Sequence, residues 1–304
     1  MTTSASMPTL DKLRAYGNLV AFSHTIFAMP FAASAVVLAH AVPHLALTWS
    51  RVAAMLVCMV AARSSAMAFN RWADREIDAK NPRTVSRPIQ SGAVSAREAF
   101  ALTVLAGLVF IGAAATLGRL PALLSPIVLA VLLGYSYAKR FTWGAHAWLG
   151  VALALAPGGA WIGMGAAPGL GIVLLMVAVA TWLLGFDVLY SLQDEAFDRG
   201  QGLHSIPARF GTGGALVISA LAHVGTVVAL AFTGVALGRG VVFFVAVTLV
   251  GALLVWEHAI VGKGNLARID KAFFDVNAYV SMSFFVLVLV DELVRRGVFA
   301  EVVR

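Results

Sequence analysis

The sequence predicts an all-α polytopic membrane protein, with about nine transmembrane helices in a bundle around a central substrate cavity. Of its 304 residues, 60% are hydrophobic and only 12% are charged, and the mean hydropathy is +0.88. An ordinary soluble domain has roughly 25% charged residues. Because a soluble protein cannot hide this much apolar surface, these values exclude the soluble classes, and the length suits one helical bundle.

Nine apolar stretches of spanning length, about 20 residues each, follow one another along the chain. They lie at 16–40, 51–69, 98–117, 121–138, 147–165, 170–192, 213–236, 240–258 and 277–297. Residues 1–15 are polar, and we expect them to form a cytoplasmic N-terminal segment that is retained. The rest of the chain, residues 16–304, is expected to form a single transmembrane domain.

The basic residues set the expected orientation. With the N-terminus inside, fifteen Lys and Arg residues lie on the cytoplasmic side and six lie on the opposite side. Cytoplasmic loops of membrane proteins carry the excess of basic residues. We therefore expect a multi-pass protein of the cell (inner) membrane, with the N-terminus and the chemically rich loops in the cytoplasm.

Two acidic motifs end the second and the sixth predicted spans, 120 residues apart. The first motif is Asn70, Asp74 and Asp78, and the second motif is Asp187, Tyr190, Asp194 and Asp198. With about 100° of rotation per helical residue, each set falls on one stripe of a helix. We expect the second helix to run past the membrane into Asp78.

Both motifs put carboxylates at the C-terminal end of a helix, where the macrodipole is negative, and like charges on one stripe repel. A positive charge must offset this, which disfavours the view that the carboxylates only cap helices at the water surface. Amide and carboxylate oxygens suit magnesium, which proteins hold with a few carboxylates plus substrate phosphates. The motifs therefore predict Mg2+ and, behind it, a phosphorylated substrate at one membrane face.

Five further polar residues are candidate substrate ligands. Arg83, Lys139 and Arg140, with Lys80 and Arg87 near them, lie in cytoplasmic loops and suit phosphate oxygens; the alternative is that they only set the topology. His24, in the first span, is expected either to touch substrate or to be satisfied locally. Arg63, in the second span, needs a partner, and an aspartate of the sixth span would serve.

At these residues the sequence resembles a known family. The first motif continuing through residues 79–88, followed by the spacing of the second motif, resembles the UbiA family of intramembrane aromatic prenyltransferases over the whole chain. The run Asp-Ala-Lys-Asn-Pro-Arg-Thr at 78–84 and residues 270–277 are similar to its 4-hydroxybenzoate polyprenyltransferase branch. Residues 202–211 instead resemble the subgroup linked to menaquinone synthesis by the futalosine route.

The resemblance implies a site and a reaction. Asn70, Asp74 and Asp78 would hold one magnesium, and Asp194 with Asp198 a second, both bridging the diphosphate of a polyprenyl donor. The second motif would also serve catalysis, Asp194 through its metal and Asp187 and Tyr190 by orienting or deprotonating the aromatic acceptor. The implied domain, 16–304, is then a prenyltransferase domain embedded in membrane lipid, with no nucleic acid and no obligate protein partner.

The implied function is magnesium-dependent polyprenyl transfer to an aromatic acceptor, foremost 4-hydroxybenzoate, in respiratory quinone biosynthesis. A dihydroxynaphthoate of menaquinone synthesis is the alternative acceptor. An ion-coupled transporter is the rival of another class, but its carboxylates usually lie at the bilayer midplane on broken helices. A passive isoprenoid-lipid binder would need the apolar tunnel without the paired carboxylates.

Overall fold

The computed structural model describes residues 9–20, 28–42, 45–262, 269 and 272–298, and the regular structure in these ranges is helical. The helices are α1 (Thr9–Leu19), α2 (Ala28–His40), α3 (Trp49–Ala73), α4 (Arg75–Asp78), α5 (Ala96–Leu117), α6 (Arg119–Ala138), α7 (Ala145–Gly163), α8 (Leu170–Tyr190), α9 (Glu195–Gly200), α10 (Ile206–Ala236), α11 (Val241–Val261) and α12 (Asn277–Arg295). A 3-10 turn, Ser191–Asp194, joins α8 to α9, and a π-helical turn, Ala272–Val276, leads into α12.

Eight of the described helical segments are long and apolar enough to cross a membrane. They coincide with the second to ninth predicted spans, which confirms the polytopic helical class. The first predicted span, 16–40, contains the end of α1 and the 13-residue helix α2, and residues 21–27 between them lie outside the described residues. The count of nine spans and the orientation of the N-terminus therefore stay predictions.

Local sequence signals fix several helix ends. Ser95 Oγ accepts a hydrogen bond from the Glu98 amide, and the Glu98 carboxylate accepts one from the Ser95 amide, which forms the capping box that opens α5. Gly118, with φ of 136°, separates α5 from α6. That backbone conformation strains any residue with a Cβ, so the glycine divides the third span from the fourth.

Helix α8 is the most enclosed of the spans, and it packs against α7 and α10. Glycines permit these close approaches: a Cβ on Gly150 of α7 would collide with the carbonyl oxygen of Ala180, and one on Gly185 would collide with the ring of His223 on α10. On the other side of the bundle α3 packs against α5 and α6, and α6 packs against α7. The two helices that end in acidic motifs are thus joined through α6 and α7.

The end of the bundle away from the motifs is held by a buried ion cluster. Arg239, in the α10–α11 turn, donates through Nε to Asp291 Oδ2 at 3.1 Å and through Nη2 to Glu292 of α12. The side chains of Arg239 and Asp291 are each 2% exposed. We call these three residues the Arg239 cluster; it ties α12 to the α10–α11 turn.

Candidate active site

Both acidic motifs coincide with breaks in their helices. Helix α3 ends at Ala73, and Asp74, with φ of −93° and ψ of 7°, separates it from the single turn α4. Helix α8 likewise ends at Tyr190, and a 3-10 turn carries the chain to Asp194. The expectation of one unbroken helix through Asp78 is therefore wrong. At and beyond these breaks, four motif carboxylates each reach a different basic side chain.

The first two residues of the first motif meet α6 and the loop that follows it. Asn70 Nδ2 donates to Asp74 Oδ2 at 2.9 Å and lies 3.5 Å from Ser136 Oγ. Arg140 Nη2 donates to Asp74 Oδ1 at 3.1 Å and to the carbonyl oxygen of Ala73 at 2.6 Å. Arg140 therefore closes the end of α3 and neutralises the first carboxylate of the motif.

Asp78 faces the loop that follows its own motif. Arg87 Nη1 lies 2.6 Å from Asp78 Oδ1 and 2.7 Å from Oδ2, and the Asp78 side chain is only 8% exposed. Thr84 Oγ1 donates to the Asp78 carbonyl oxygen at 2.8 Å. These bonds fold residues 79–87 back over the end of the motif.

Arg83, from the same loop, reaches across to the second motif. Its Nε lies 3.1 Å from Asp194 Oδ1, and its Nη2 donates to Asp194 Oδ2, which makes a bidentate pair. Its Nη1 donates to Tyr190 Oη at 3.0 Å. Asn81 Nδ2 adds a hydrogen bond to Asp194 Oδ1 at 3.4 Å. The loop of the first motif is therefore bonded to both Tyr190 and Asp194.

The last carboxylate completes the set. Lys139 Nζ lies 3.3 Å from Asp198 Oδ2, and the Asp198 side chain is 4% exposed. Four motif carboxylates thus have one basic partner each, four against four. These four ion pairs are Asp74–Arg140, Asp78–Arg87, Asp194–Arg83 and Asp198–Lys139. The structure joins residues of both motifs to three of the predicted substrate-binding residues, Arg83, Lys139 and Arg140, in one network of ion pairs and hydrogen bonds.

Burial and ion pairing shift the pKa values of this network in opposite directions. Burial raises the pKa of the Asp74 carboxyl, and the hydrogen bond from Arg140 opposes that shift. For Arg83, burial lowers the pKa, but the hydrogen bond and the charge of Asp194 outweigh it, so the pKa is raised overall. The Arg83 guanidinium therefore stays charged, and it is available for any anion that replaces Asp194 as its partner.

Two of the remaining predicted residues are not brought into the ion pairs. Arg63 is half-buried in α3, about 10 Å before Asn70 along the helix axis. Asp187, the aspartate of α8 expected to serve it, is bound instead by His146 Nδ1 at 2.6 Å. His24 lies outside the described residues.

Sequence reasoning missed His146, Asn81 and Ser136. His146 is a polar residue in the first turn of an apolar span, next to a loop with two basic residues. That position was the one available signal for it. Asn81 and Ser136 had none, because their contacts join segments far apart in the chain.

The residues of the two motifs fit a magnesium ion chemically, but their carboxylates are bonded to basic side chains. The donor set is one amide and four carboxylates, the hard oxygen ligands that magnesium prefers. Yet among the described residues no three acidic, histidine or cysteine side chains converge as a metal cluster. Because each carboxylate is held by a basic side chain, metal binding requires those basic groups to turn to another anion.

Comparisons with known proteins give a consistent family. Residues 27–285 match the family model described as the UbiA prenyltransferase family. The chain is 30% identical over 223 residues to the 4-hydroxybenzoate octaprenyltransferase of Salmonella paratyphi B, which covers 73% of this chain and 76% of that protein. The enzyme of Salmonella newport gives the same values.

Solved structures give the same fold. The apo structure of a UbiA homolog from Aeropyrum pernix K1 is 35% identical, covers 88% of this chain and 98% of its own, and superimposes with a TM-score of 0.78. A UbiA homolog from Archaeoglobus fulgidus, bound to GPP and Mg2+, is 20% identical, with coverages of 90% and 99% and a TM-score of 0.67. At that identity the second likeness bears on the fold alone.

Proposed function

Because the chain belongs to the UbiA prenyltransferase family, and so is an integral membrane transferase, we propose that it transfers a polyprenyl group from a polyprenyl diphosphate to 4-hydroxybenzoate. The proposal of the acceptor is supported by the relatives named as 4-hydroxybenzoate octaprenyltransferases. The proposal of the donor and of Mg2+ is supported by the Archaeoglobus homolog that holds GPP and Mg2+. The pathway we propose is respiratory quinone biosynthesis.

The single observation that carries this proposal is the set of four ion pairs at the ends of α3 and α8. Carboxylates suited to a metal and basic groups suited to phosphate lie side by side, each neutralising the other. A metal–diphosphate complex would offer new partners both to the carboxylates and to the basic side chains. Its positive ions attract the carboxylates, and its phosphate oxygens attract the arginines and the lysine. Substrate binding would therefore be an exchange of partners for both sets of charges.

Within this proposal each residue has a defined part. Asn70, Asp74 and Asp78 would hold one Mg2+, and Asp194 and Asp198 a second. Bound magnesium supplies positive charge against the diphosphate as it leaves. Arg83, Lys139 and Arg140 would bind phosphate oxygens, and Arg63 and His24 are proposed as further substrate ligands.

In the reaction, the allylic C–O bond of the donor breaks and its electron pair leaves with the diphosphate. A ring carbon of the acceptor forms the new C–C bond, and the proton on that carbon is released. Arg83, Lys139 and Arg140 favour this step because their fixed charges face the oxygens on which negative charge grows. Asp187 and Tyr190 orient the phenol beside them, and the apolar spans exclude water from the cationic donor carbon.

We place the mouth of this site at the cytoplasmic face of the inner membrane, on the excess of basic residues in those loops. The polyprenyl tail then lies among the spans, in contact with membrane lipid. Exposed apolar side chains cover the outer faces of α5, α10 and α11, including Leu105, Leu108, Leu221 and Val255. Such surface is expected where lipid is the solvent.

The test is a reconstitution. Purified protein in detergent, given Mg2+, a polyprenyl diphosphate and 4-hydroxybenzoate, is expected to release pyrophosphate and to form a C-prenylated ring, detected by mass spectrometry. Addition of EDTA should stop the reaction, and excess Mg2+ should restore it. Full turnover in EDTA would refute the requirement for Mg2+. Turnover of a dihydroxynaphthoate but not of 4-hydroxybenzoate would show that the proposed acceptor is wrong. No product with any phenolic acceptor would refute the function.

A further inference from the structure

A histidine–aspartate pair lies beside the site without taking part in the four ion pairs. His146, in the first turn of α7, is 1% exposed, and its Nδ1 lies 2.6 Å from Asp187 Oδ2 in the last turns of α8. The Asp187 side chain is 17% exposed, so one part of it reaches open space. Asp187 also precedes Tyr190 by one turn, about 4.5 Å along the helix axis.

The acceptor sets the direction of the bond between the two side chains. A carboxylate oxygen accepts hydrogen bonds, so His146 Nδ1–H donates to Asp187 Oδ2. The other ring nitrogen, Nε2, is buried and has no hydrogen-bond partner among the residues that the structure describes. Within that part of the chain, Asp187 is therefore the hydrogen-bond partner of the His146 ring.

The bond from His146 engages one of the two carboxylate oxygens of Asp187. Within the described part of the chain, the His146 hydrogen bond is the one that Asp187 accepts, through Oδ2. Its Oδ1 is left to accept a hydrogen bond from another molecule. Because the imidazole is locked by burial, the carboxylate cannot rotate freely, and Oδ1 keeps one direction. The neighbouring Tyr190 is fixed in turn by Arg83.

We propose that His146 is a positioning residue that aims Asp187 Oδ1 at the hydroxyl of the phenolic acceptor. The hydroxyl donates a hydrogen bond to the carboxylate, which raises the electron density of the ring carbons beside it and fixes the ring against the donor carbon. His146 itself touches neither substrate. This inference rests on the proposed function, and it assigns the pair to the acceptor rather than to the diphosphate.

Two single variants of His146 test the proposal in the reconstituted reaction. In His146→Leu the donor to Asp187 is lost, and we expect turnover at saturating substrates to fall about 10–100-fold, as for other lost orienting partners. The KM for polyprenyl diphosphate should change less than about twofold, on the scale of an unperturbed contact. In His146→Asn the amide nitrogen replaces Nδ1, and most of the turnover should return.

A double variant separates positioning from packing. Since His146 acts through Asp187, the protein with both Asp187→Asn and His146→Leu should turn over no more slowly than Asp187→Asn alone. If the leucine variant does not fold, as judged by thermal unfolding in detergent, the same comparison is made with His146→Ala, which also removes the donor to Asp187. If the double variant turns over more slowly than Asp187→Asn by the same factor that the His146 change causes alone, the proposal is overturned.

Two other results would also overturn it: wild-type turnover in His146→Leu, or an asparagine variant no better than the leucine variant. Both results require a wild-type protein that prenylates a phenol. If the proposed function itself fails, the wild-type protein makes no product, so the two failures are distinguishable.

Discussion

Replacing Asp194 by asparagine is the sharpest test of the ion-pair exchange. The change removes one negative charge and keeps the shape of the side chain. Asn81 keeps an oxygen to bind, because the new amide retains one. Arg83 loses its bidentate carboxylate partner, whose side chain is 11% exposed. The same change removes a proposed metal ligand, so its effects on stability and on turnover differ in origin.

The expected loss of stability in Asp194→Asn is small and the expected loss of turnover is large. A hydrogen bond to a charged group is worth about 1.5–3 kcal/mol, but the Arg83 side chain is 35% exposed, so solvent screens much of that value. We expect a loss of about 1 kcal/mol in the free energy of unfolding, which lowers Tm by roughly 2–4 °C. Loss of one charge that stabilises the transition state costs about 100–1000-fold in turnover.

Thermal unfolding in detergent and product formation by mass spectrometry measure the two effects on one preparation. Glu195→Gln is the matched control, because it makes the same chemical change at the next residue, whose carboxylate binds the exposed Arg199 at 3.0 Å. That variant should keep turnover within about twofold and lose well under 1 kcal/mol, as a surface pair does. Turnover above about a tenth of wild type in Asp194→Asn, or an equal loss in the control, would refute the reasoning.

Three further outcomes are expected elsewhere in the molecule. Lys139→Ala removes a proposed phosphate ligand and should raise the KM for polyprenyl diphosphate about tenfold; steady-state kinetics that change only the acceptor KM would contradict this. Gly150→Ala drives a Cβ into a backbone carbonyl of α8 and should cost about 1–3 kcal/mol in thermal unfolding, whereas Gly159→Ala, with open space at its Cβ position, should cost nothing measurable. Arg239→Met leaves the buried Asp291 without a cation, although Glu292 keeps Arg296 at 2.7 Å, and should cost about 3–5 kcal/mol in the free energy of unfolding, with turnover per folded molecule retained; an unchanged Tm would contradict the importance of the Arg239 cluster.

Several features of the fold were readable because their signals are local. A run of about 20 apolar residues is sufficient to predict a span, and eight such runs match described helices. Ser95 and Glu98 stand three residues apart, so their capping box needs no distant partner. The same holds for Gly118, where the backbone conformation itself requires glycine.

The course of the two motif-bearing helices depended on more than spacing. The sequence predicted an unbroken helix through Asp78, but α3 ends at Ala73, and α8 ends at Tyr190. Asn70 still contacts Asp74 one turn away, as the four-residue spacing predicts. The repulsion between like charges, which the sequence did indicate, is offset by the basic partners.

The sequence by itself determined the membrane class, the spans and the residue types gathered at one face, because these depend on composition and on short spacing. Only the tertiary structure decided which charges meet. Arg83 and Asp194 are 111 residues apart, and His146 and Asp187 are 41 apart. Such pairings follow from the packing of α3, α6, α7 and α8, which sets the distances between side chains that no local pattern relates.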